Sequence, residues 1–164
     1  MKNITVKVKK LVEDVELPKY ATEGAACFDI AASEEVEWCI TRLSPDNIIA
    51  GAIHMVTAIV PTGLAFEIPE GYRMDIYPRS GLAFKFNIQL ANGTGKIDSD
   101  YRGEVKIKLI GFVKDYQFKE LPDITKGFRI AQAEVNEVIH AAFKESKNLS
   151  ETKRGEKGFG STGH

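Results

Sequence analysis

The sequence predicts an all-β protein, a sandwich or barrel of short strands, and three observations support this class. Apolar and polar residues alternate in several short segments, which is the pattern of strands that are buried on one face. Turn-forming groups such as PEG, NGTG, YRG, KDY and LPD separate these segments at short spacing. Segments with helical periodicity are scarce. A chain of 164 residues with these features fits one domain.

The strands can be placed in chain order. The alternating segments put four sets of apolar residues on one face each: Ile4, Val6 and Val8; Leu64, Phe66 and Ile68; Met74 and Ile76; and Val105, Ile107 and Leu109. Residues 33–56 are predicted to be strand fragments separated by a long polar loop. The segment RIAQAEV at 129–135 is predicted to be another strand.

One short helix and a glycine-rich tail complete the predicted architecture. The helix should open at Ser80 in SGLAFKF, with Ser80 as its N-cap. Residues 1–140 are predicted to form the β body, and residues 141–164 a tether and C-terminal lid of the same domain. The tail RGEKGFGSTG has four glycines, which disfavour helix and strand. We expect it to be mobile in the free protein and ordered over a bound ligand.

Composition and charge argue against several functions. The net charge of −1 does not indicate binding to nucleic acid or to an anionic membrane. No apolar run has the length of a membrane span or the form of a signal peptide, so we expect a cytoplasmic protein, or a nuclear one in a eukaryotic or viral host, that is not secreted. Cys27 and Cys39 form no CxxC pair, and the scattered histidines do not indicate a zinc site.

The first segment with possible chemistry is PRSGLAFK at 78–85. Arg79, Ser80 and Gly81 lie where the predicted helix begins, and the unpaired N–H groups at a helix start attract anions such as phosphate. On this segment alone, a helix cap after a proline turn is the simpler interpretation, because serine caps are common.

The segment NGTGKIDSDYRGE at 92–104 is more specific. Asp98 and Asp100 share a side of an extended chain but diverge in a tight turn, and Tyr101 follows three residues after Asp98. Taken alone, the segment is interpreted as a hairpin, because Asn92-Gly93 is a strong turn signal. A carboxylate, an amide able to read a base edge, an aromatic ring and a nearby anion-binding turn together favour a nucleotide site.

Gln132 lies among small apolar residues of the segment RIAQAEV. Such an amide is usually a satisfied hydrogen-bonding group in a core or interface. The alternative is a group that positions a phosphate or a water molecule, and its place in the sequence does not distinguish the two.

Five segments, in order, resemble the motifs of the trimeric dUTPase family: AACFDIAA at 25–32, PRSGLAFK at 78–85, NGTGKIDSDYRGE at 92–104, RIAQ at 129–132 and RGEKGFGSTG at 154–163. The resemblance implies a jelly-roll β fold and a homotrimer with active sites at subunit interfaces. It also implies Mg²⁺-dependent hydrolysis of dUTP to dUMP and pyrophosphate, which limits uracil incorporation into DNA and supplies dUMP for thymidylate synthesis.

The resemblance also implies a role for each motif residue. Asp98 would orient and deprotonate the water that attacks the α-phosphorus, Arg154 would be the arginine finger, and Tyr101 would pack beneath the deoxyribose and exclude a 2′-hydroxyl. Asn92 and the backbone around Lys96, Ile97 and Lys106 would read the uracil edge, and Arg79, Ser80 and Gly81 would hold the phosphates. Gln132, together with Asp29, would steady water bound to the phosphates or the metal. Phe159 would stack on the base, and Gly160 and Ser161 would close over the phosphates. Asp29 would contact the metal indirectly, through water, with the ion otherwise held by the substrate phosphates.

Several departures from the family pattern, among them Lys157 in place of a glycine of the tail, and two alternatives accompany this resemblance. Lys96 occupies a position that is usually apolar in the family, and residues 44–56 are longer than usual for their connection. One alternative is a dCTP deaminase of the same fold, which needs a glutamate that acts on the cytosine ring. The other is a non-catalytic trimer that binds a nucleotide or a regulatory protein. The presence of Asp98, Arg154 and Phe159 together favours the hydrolase.

Overall fold

The structure is a computed structural model that describes residues 3–45 and 51–158. This part of the chain contains one α-helix, α1 (Ser80–Phe86), and one 3₁₀ helix (Asp115–Glu120). It also contains ten strands: β1 (Lys7–Lys10), β2 (Phe28–Ala31), β3 (Cys39–Arg42), β4 (Ile53–Pro61), β5 (Leu64–Glu67), β6 (Tyr72–Tyr77), β7 (Ile88–Leu90), β8 (Gly95–Ile97), β9 (Lys106–Lys114) and β10 (Arg129–Glu137).

Two four-stranded antiparallel sheets form the body. Sheet I has the order β2-β10-β6-β8, sheet II has the order β3-β4-β9-β7, and β1 pairs with β5 in a separate two-stranded sheet. One core cluster contains buried residues of both large sheets, among them Ile30, Met74 and Ile130 from sheet I and Val60 and Leu109 from sheet II. Two open sheets over a shared core make a sandwich. The predicted all-β, jelly-roll-like class is therefore confirmed, and neither sheet closes into a barrel.

Burial follows the predicted alternation. Ile107 and Leu109 of β9 are buried, whereas Lys106 and Lys108, which alternate with them, are exposed. Residues 4–9 also alternate between half-buried and exposed side chains, as predicted. Only the second half of this segment forms a strand, β1, which pairs with β5. The strand fragments expected within 33–56 form as β3 and the start of β4, and residues 46–50 of their connection lie outside the described residues.

The structure corrects the predicted helix start. Arg79, not Ser80, is at the N-cap of α1, and the Arg79 side chain does not cap the helix. The carbonyl oxygen of Arg79 accepts hydrogen bonds from the amides of Leu82 and Ala83, both at 3.1 Å. Arg79 is extended (φ −94°, ψ 133°), because it continues the path of β6 through Pro78, so Ser80 is already the first helical residue. The 3₁₀ helix occupies a segment where the sequence predicted only a turn.

The 92–104 segment is not a hairpin, contrary to its turn signal. The Asn92-Gly93 turn does form, with Gly93 at φ +70° and its amide 3.1 Å from the carbonyl oxygen of Leu90. The flanking strands pair elsewhere, however: β7 with β9 in sheet II and β8 with β6 in sheet I. β8 is thus a three-residue strand between two crossovers, because the chain enters sheet I before it and returns to sheet II after it.

The chain leaves the body after β10. The amide of Val138 donates to the carbonyl oxygen of Gly71 at 2.8 Å, and residues 139–158 are all exposed. The division into a 1–140 body and a 141–164 tether and lid stays a prediction. The described helices have seven and six residues, and neither has the length or apolar character needed to cross a bilayer.

Candidate active site

A pocket of about 630 Å³ lies where β8 leaves sheet I. It is lined by the end of β8, the crossover that follows and the start of β9, namely Lys96, Ile97, Asp98, Tyr101, Glu104, Val105 and Lys106. Five residues to which the sequence assigned substrate or catalytic roles therefore come together here. Asn92 is exposed at the turn before β8 and does not line this pocket.

Asp98 is the first residue after β8 and lines the pocket. Its backbone carbonyl accepts the amide N–H of Tyr101 at 3.2 Å, so the chain turns here and the extended geometry that would align Asp98 with Asp100 does not form. Asp98 is exposed, and its carboxylate accepts no hydrogen bond from the described part of the chain. A water molecule or ligand in the pocket can therefore reach it directly.

The side chain of Tyr101 lies against the backbone of the residues that follow it. Its hydroxyl donates to the carbonyl oxygen of Glu104 at 3.0 Å. A Cβ at Gly103 would lie 2.5 Å from that hydroxyl, so a larger residue there would displace the ring. The Glu104 carboxylate accepts the amide of Gly63 at 2.9 Å and lies 3.3 Å from the ammonium of Lys106. These contacts fix one wall of the pocket.

A second group of predicted site residues lies on the outer face of sheet I. The register places Gln132 of β10 between Asp29 of β2 and Tyr77 of β6. A β-bulge between Arg129 and Ala131 brings Arg129 to the same face as Gln132. In a regular strand these two side chains, three residues apart, would point to opposite faces.

Asp29 is held between two arginines on this face. Arg79 Nε lies 2.9 Å from one carboxylate oxygen, and Arg129 Nη1 lies 3.0 Å from the other. Arg79 also donates to the carbonyl oxygen of Arg129 at 3.2 Å, and the Gln132 amide donates to the carbonyl oxygen of Pro78 at 3.0 Å. Two cations and one anion leave a net positive charge, and a guanidinium with five N–H donors retains several for a phosphate.

Ser80 and Gly81 are exposed and follow directly after Arg79. A Cβ at Gly81 would meet no atom within 4 Å, so the backbone here is open to close approach by a ligand. Because α1 has only seven residues, its dipole is small. The positive charge of this face therefore comes from the arginines rather than from the helix start.

Arg154 joins neither group in one chain. Its guanidinium donates to the carbonyl oxygens of Lys157 at 3.1 Å and Gly158 at 3.4 Å, within an exposed turn of the tail. It does not line the Asp98 pocket. Phe159, Gly160 and Ser161 lie outside the described residues, so their predicted contacts stay predictions.

The chain matches the family model described as dUTPase over residues 13–163. The protein belongs to the dUTPase family. It is 45% identical over 159 residues to the deoxyuridine 5′-triphosphate nucleotidohydrolase of Rickettsia bellii, covering 96% of this chain and 95% of that protein. It is 43% identical over 158 residues to the protein of the same name from Nautilia profundicola, covering 96% and 98% of the two chains. The predicted family is thereby confirmed.

Solved structures agree with this assignment. A mutant dUTPase of Staphylococcus bacteriophage 80alpha, solved with dUpNHpp, matches with a TM-score of 0.76 and 25% identity, covering 99% of this chain and 100% of that one. A further mutant of the same phage enzyme matches with a TM-score of 0.74 and 26% identity.

Three residues at or near the candidate site were not predicted from the sequence. Glu104 and Arg129 lie inside quoted motifs, but nothing in the local sequence showed which backbone or carboxylate they would contact. Asp75 did leave a signal, because an acidic residue between Met74 and Ile76 interrupts an apolar strand. Such a charge needs partners if it is buried.

The donor set fits a metal ion carried by the substrate. Within residues 3–45 and 51–158, no group of three or more His, Cys, Asp or Glu side chains is placed to hold a metal. Each oxygen of Asp29 bonds an arginine and retains a lone pair for a water molecule. Mg²⁺ keeps several waters and is commonly bound through substrate phosphates, so a protein cage is not required.

Asp75 of β6 is the one fully buried ionisable side chain among the described residues, with 2% of its side chain exposed. Its carboxylate accepts hydrogen bonds from Lys96 Nζ at 2.6 Å, Arg73 Nε at 3.0 and 3.1 Å, and Asn136 Nδ2 at 2.9 Å. Burial acts to raise the pKa of Asp75, but the hydrogen bonds from Lys96, Arg73 and Asn136 outweigh it and lower this pKa to about 2.

Asp75→Asn is expected to reduce the loss of folding stability that occurs as the pH falls. The folded-state pKa of about 2 is below the ordinary 3.8, so the charged carboxylate stabilises the fold above about pH 4 and loses this effect as the pH falls towards 2. The linked free energy is roughly 2 kcal/mol. The unfolding free energies of wild type and Asp75→Asn, measured in urea at one protein concentration, should therefore converge by about this amount between pH 7 and pH 2.

Asp14→Asn is the control for that experiment. Asp14 also bonds a lysine, Lys126, at 2.8 Å, but the pair is exposed. Its removal should change stability little at either pH, because exposed ion pairs contribute little. A stability difference between wild type and Asp75→Asn that stays constant across the pH range would contradict the account of Asp75.

Proposed function

We propose that this protein hydrolyses dUTP to dUMP and pyrophosphate. The family match over residues 13–163 supports the reaction class. The observation that carries the assignment is the exposed carboxylate of Asp98, which accepts no hydrogen bond from residues 3–45 or 51–158 and lines a pocket beside the Tyr101 ring. The reaction would lower the dUTP available for incorporation into DNA and supply dUMP for thymidylate synthesis.

Asp98 is the proposed general base. Hydrolysis needs a positioned water and an acceptor for its proton. Asp98 would accept that proton while the water oxygen forms a bond to the α-phosphorus and the bond from this phosphorus to the bridging oxygen breaks. The electron pair of the broken bond leaves with pyrophosphate. Phosphoryl transfer depends mainly on positioning and charge neutralisation, so a single carboxylate is sufficient on the protein side.

Charge on the phosphates would be neutralised by the arginines. Arg79, with Ser80 and Gly81, would bind the phosphates on the positive outer face of sheet I, and Arg154 would add a second guanidinium as the arginine finger. Mg²⁺ bound to the triphosphate would neutralise further charge. Asp29 and Gln132 would hold water molecules bound to the metal or to the phosphates. They would not contact the ion directly.

Selection of uracil and deoxyribose would come from the 92–106 region and the tail. Asn92 and the backbone at Lys96, Ile97 and Lys106 would pair with the uracil edge. Cytosine would leave these groups unpaired, which is a larger penalty than a missing methyl group. The Tyr101 ring, fixed by its bond to Glu104, would leave no room for a 2′-hydroxyl. Phe159 would stack on the base, with Gly160 and Ser161 closing over the phosphates.

The protein is proposed to act as a homotrimer with sites shared between subunits. One chain does not bring Arg154 to the Asp98 pocket. Phe143 in the tether is 97% exposed, and Ile139 and Leu149 are nearly as exposed. Phe112 and Ile59 on the outer face of sheet II are also more than half exposed. Apolar groups of this size are commonly covered in an assembly, which supports subunit contacts at both places.

The deaminase alternative finds less support in the pocket. A deaminase needs a glutamate free to act on the cytosine ring. The glutamate that lines the pocket, Glu104, has its carboxylate engaged by the Gly63 amide and by Lys106. Incubation with dCTP and detection of ammonia separates the two reactions, and turnover of dUTP separates both from a trimer that only binds nucleotides.

Asp98→Asn should retain the fold and nucleotide binding but lose turnover by about 10²- to 10⁴-fold, because an amide cannot accept the proton of the water. The measurement is pyrophosphate release from dUTP, dTTP, dCTP and UTP. Asp100→Asn is the matched control and should keep most activity. Near-normal activity of Asp98→Asn with an inactive Asp100→Asn would move the base to Asp100, and comparable turnover of all four nucleotides by the wild type would refute the specificity.

Tyr101→Ala should relax sugar selection. Without the ring, a 2′-hydroxyl has room, so the ratio of kcat/KM for dUTP to that for UTP should fall roughly tenfold or more. Tyr101→Phe keeps the ring but loses the bond to Glu104, and it should keep most of the ratio. An unchanged ratio in Tyr101→Ala would show that the ring serves packing alone.

A further inference from the structure

β8 is held in sheet I by few backbone contacts, although the proposed base follows directly after it. The strand has three residues, Gly95, Lys96 and Ile97, and among the described strands it pairs with β6 alone. Crossovers to sheet II flank it on both sides. So short an edge strand has little backbone pairing to fix its position.

A side-chain contact reinforces this pairing. Lys96 of β8 lies directly opposite Asp75 of β6 in the register, and its ammonium is 2.6 Å from the Asp75 carboxylate. Although Lys96 borders the pocket, its charged end is therefore engaged by sheet I. More than half of the lysine side chain is exposed, whereas the carboxylate is buried.

Asp75 is itself fixed from two other directions. Arg73 of β6 donates to both carboxylate oxygens, and Asn136 of β10 donates to one of them at 2.9 Å. The ammonium of Lys96 thus binds a carboxylate whose position is set by the two central strands of the sheet. β6 continues through Pro78 into Arg79, so the same strand anchors both β8 and the phosphate-binding group.

We propose that Lys96 is a positioning residue for the reaction, which through its ion pair with Asp75 fixes β8 and thereby the place of Asp98. This inference rests on the proposed function. An exposed ion pair contributes little, but here one partner is buried, and loss of the lysine removes one of the three donors of a desolvated charge. A displacement of a catalytic group by about 1 Å can cost about 10²-fold in rate.

The test compares Lys96→Met with Lys7→Met. Lys7 and Glu67 form a second ion pair between directly opposite residues, at 2.8 Å across β1 and β5, in the two-stranded sheet that does not include β8. Lys96→Met should lower kcat for dUTP by roughly 10- to 100-fold with a smaller change in KM, while the protein stays folded. Lys7→Met should stay within about twofold of the wild type. Lys96→Arg, which can keep the ion pair, should restore most of kcat.

Asp75→Asn distinguishes positioning from a direct charge effect of Lys96 on the pocket. This variant retains the lysine charge but removes the carboxylate that holds it. If Lys96 acts through position, kcat falls in Asp75→Asn as well. A fall in Lys96→Met with an unchanged or raised kcat in Asp75→Asn would overturn the proposal.

Hydrogen exchange of the amides at 95–97 supplies a readout that does not require activity. These amides should exchange faster in Lys96→Met than in the wild type and in Lys7→Met. Unchanged exchange, or an unchanged kcat in a folded Lys96→Met protein, overturns the proposal. A wild type that does not hydrolyse dUTP refutes the proposed function instead, and the exchange result still decides the role of Lys96. If Lys96→Met does not fold, Lys96→Gln, which keeps one donor group, takes its place.

Discussion

The antiparallel strand order of sheet I, β2-β10-β6-β8, is the constraint on which the candidate site depends. The pairing of β10 with β2 and β6 places Gln132 beside Asp29 and next to the strand that ends before Arg79. The pairing of β6 with β8 places Asp98 at the end of the outermost strand. One sheet therefore sets both the face proposed to bind phosphates and the position of the proposed base.

Two local features adapt this sheet to its chemistry. The bulge in β10 turns Arg129 towards Asp29, so the face gains a second cation without a change in strand order. The buried carboxylate of Asp75 links β6, β8 and β10 through side chains. A buried charge is costly unless it is fully paired, so the three donors around Asp75 both satisfy the carboxylate and tie the strands together.

The strands and the family could be predicted from the sequence, because they are encoded by the alternation of apolar residues and by local motifs. Alternation identified strands such as the one through Ile107 and Leu109, and motif order identified the family. Strand pairing is not a local property, so the Asn92-Gly93 turn gave no sign that its flanking strands lie in different sheets. Two other features depend in the same way on the path of the folded chain. They are the N-cap at Arg79 instead of Ser80 and the contact between Lys96 and Asp75.

Because sheet I supplies Asp98 but does not bring Arg154 to it within one chain, we propose that each complete site draws these residues from different chains. The direct test is activity of mixed oligomers formed by co-refolding Asp98→Asn with Arg154→Ala at equal amounts. If the residues come from different chains, about one quarter of the sites in randomly mixed oligomers hold both native residues, and dUTP hydrolysis should return to about that fraction of wild type. If both residues act within one chain, no mixed site is intact, and activity no higher than that of the separate variants would contradict the account.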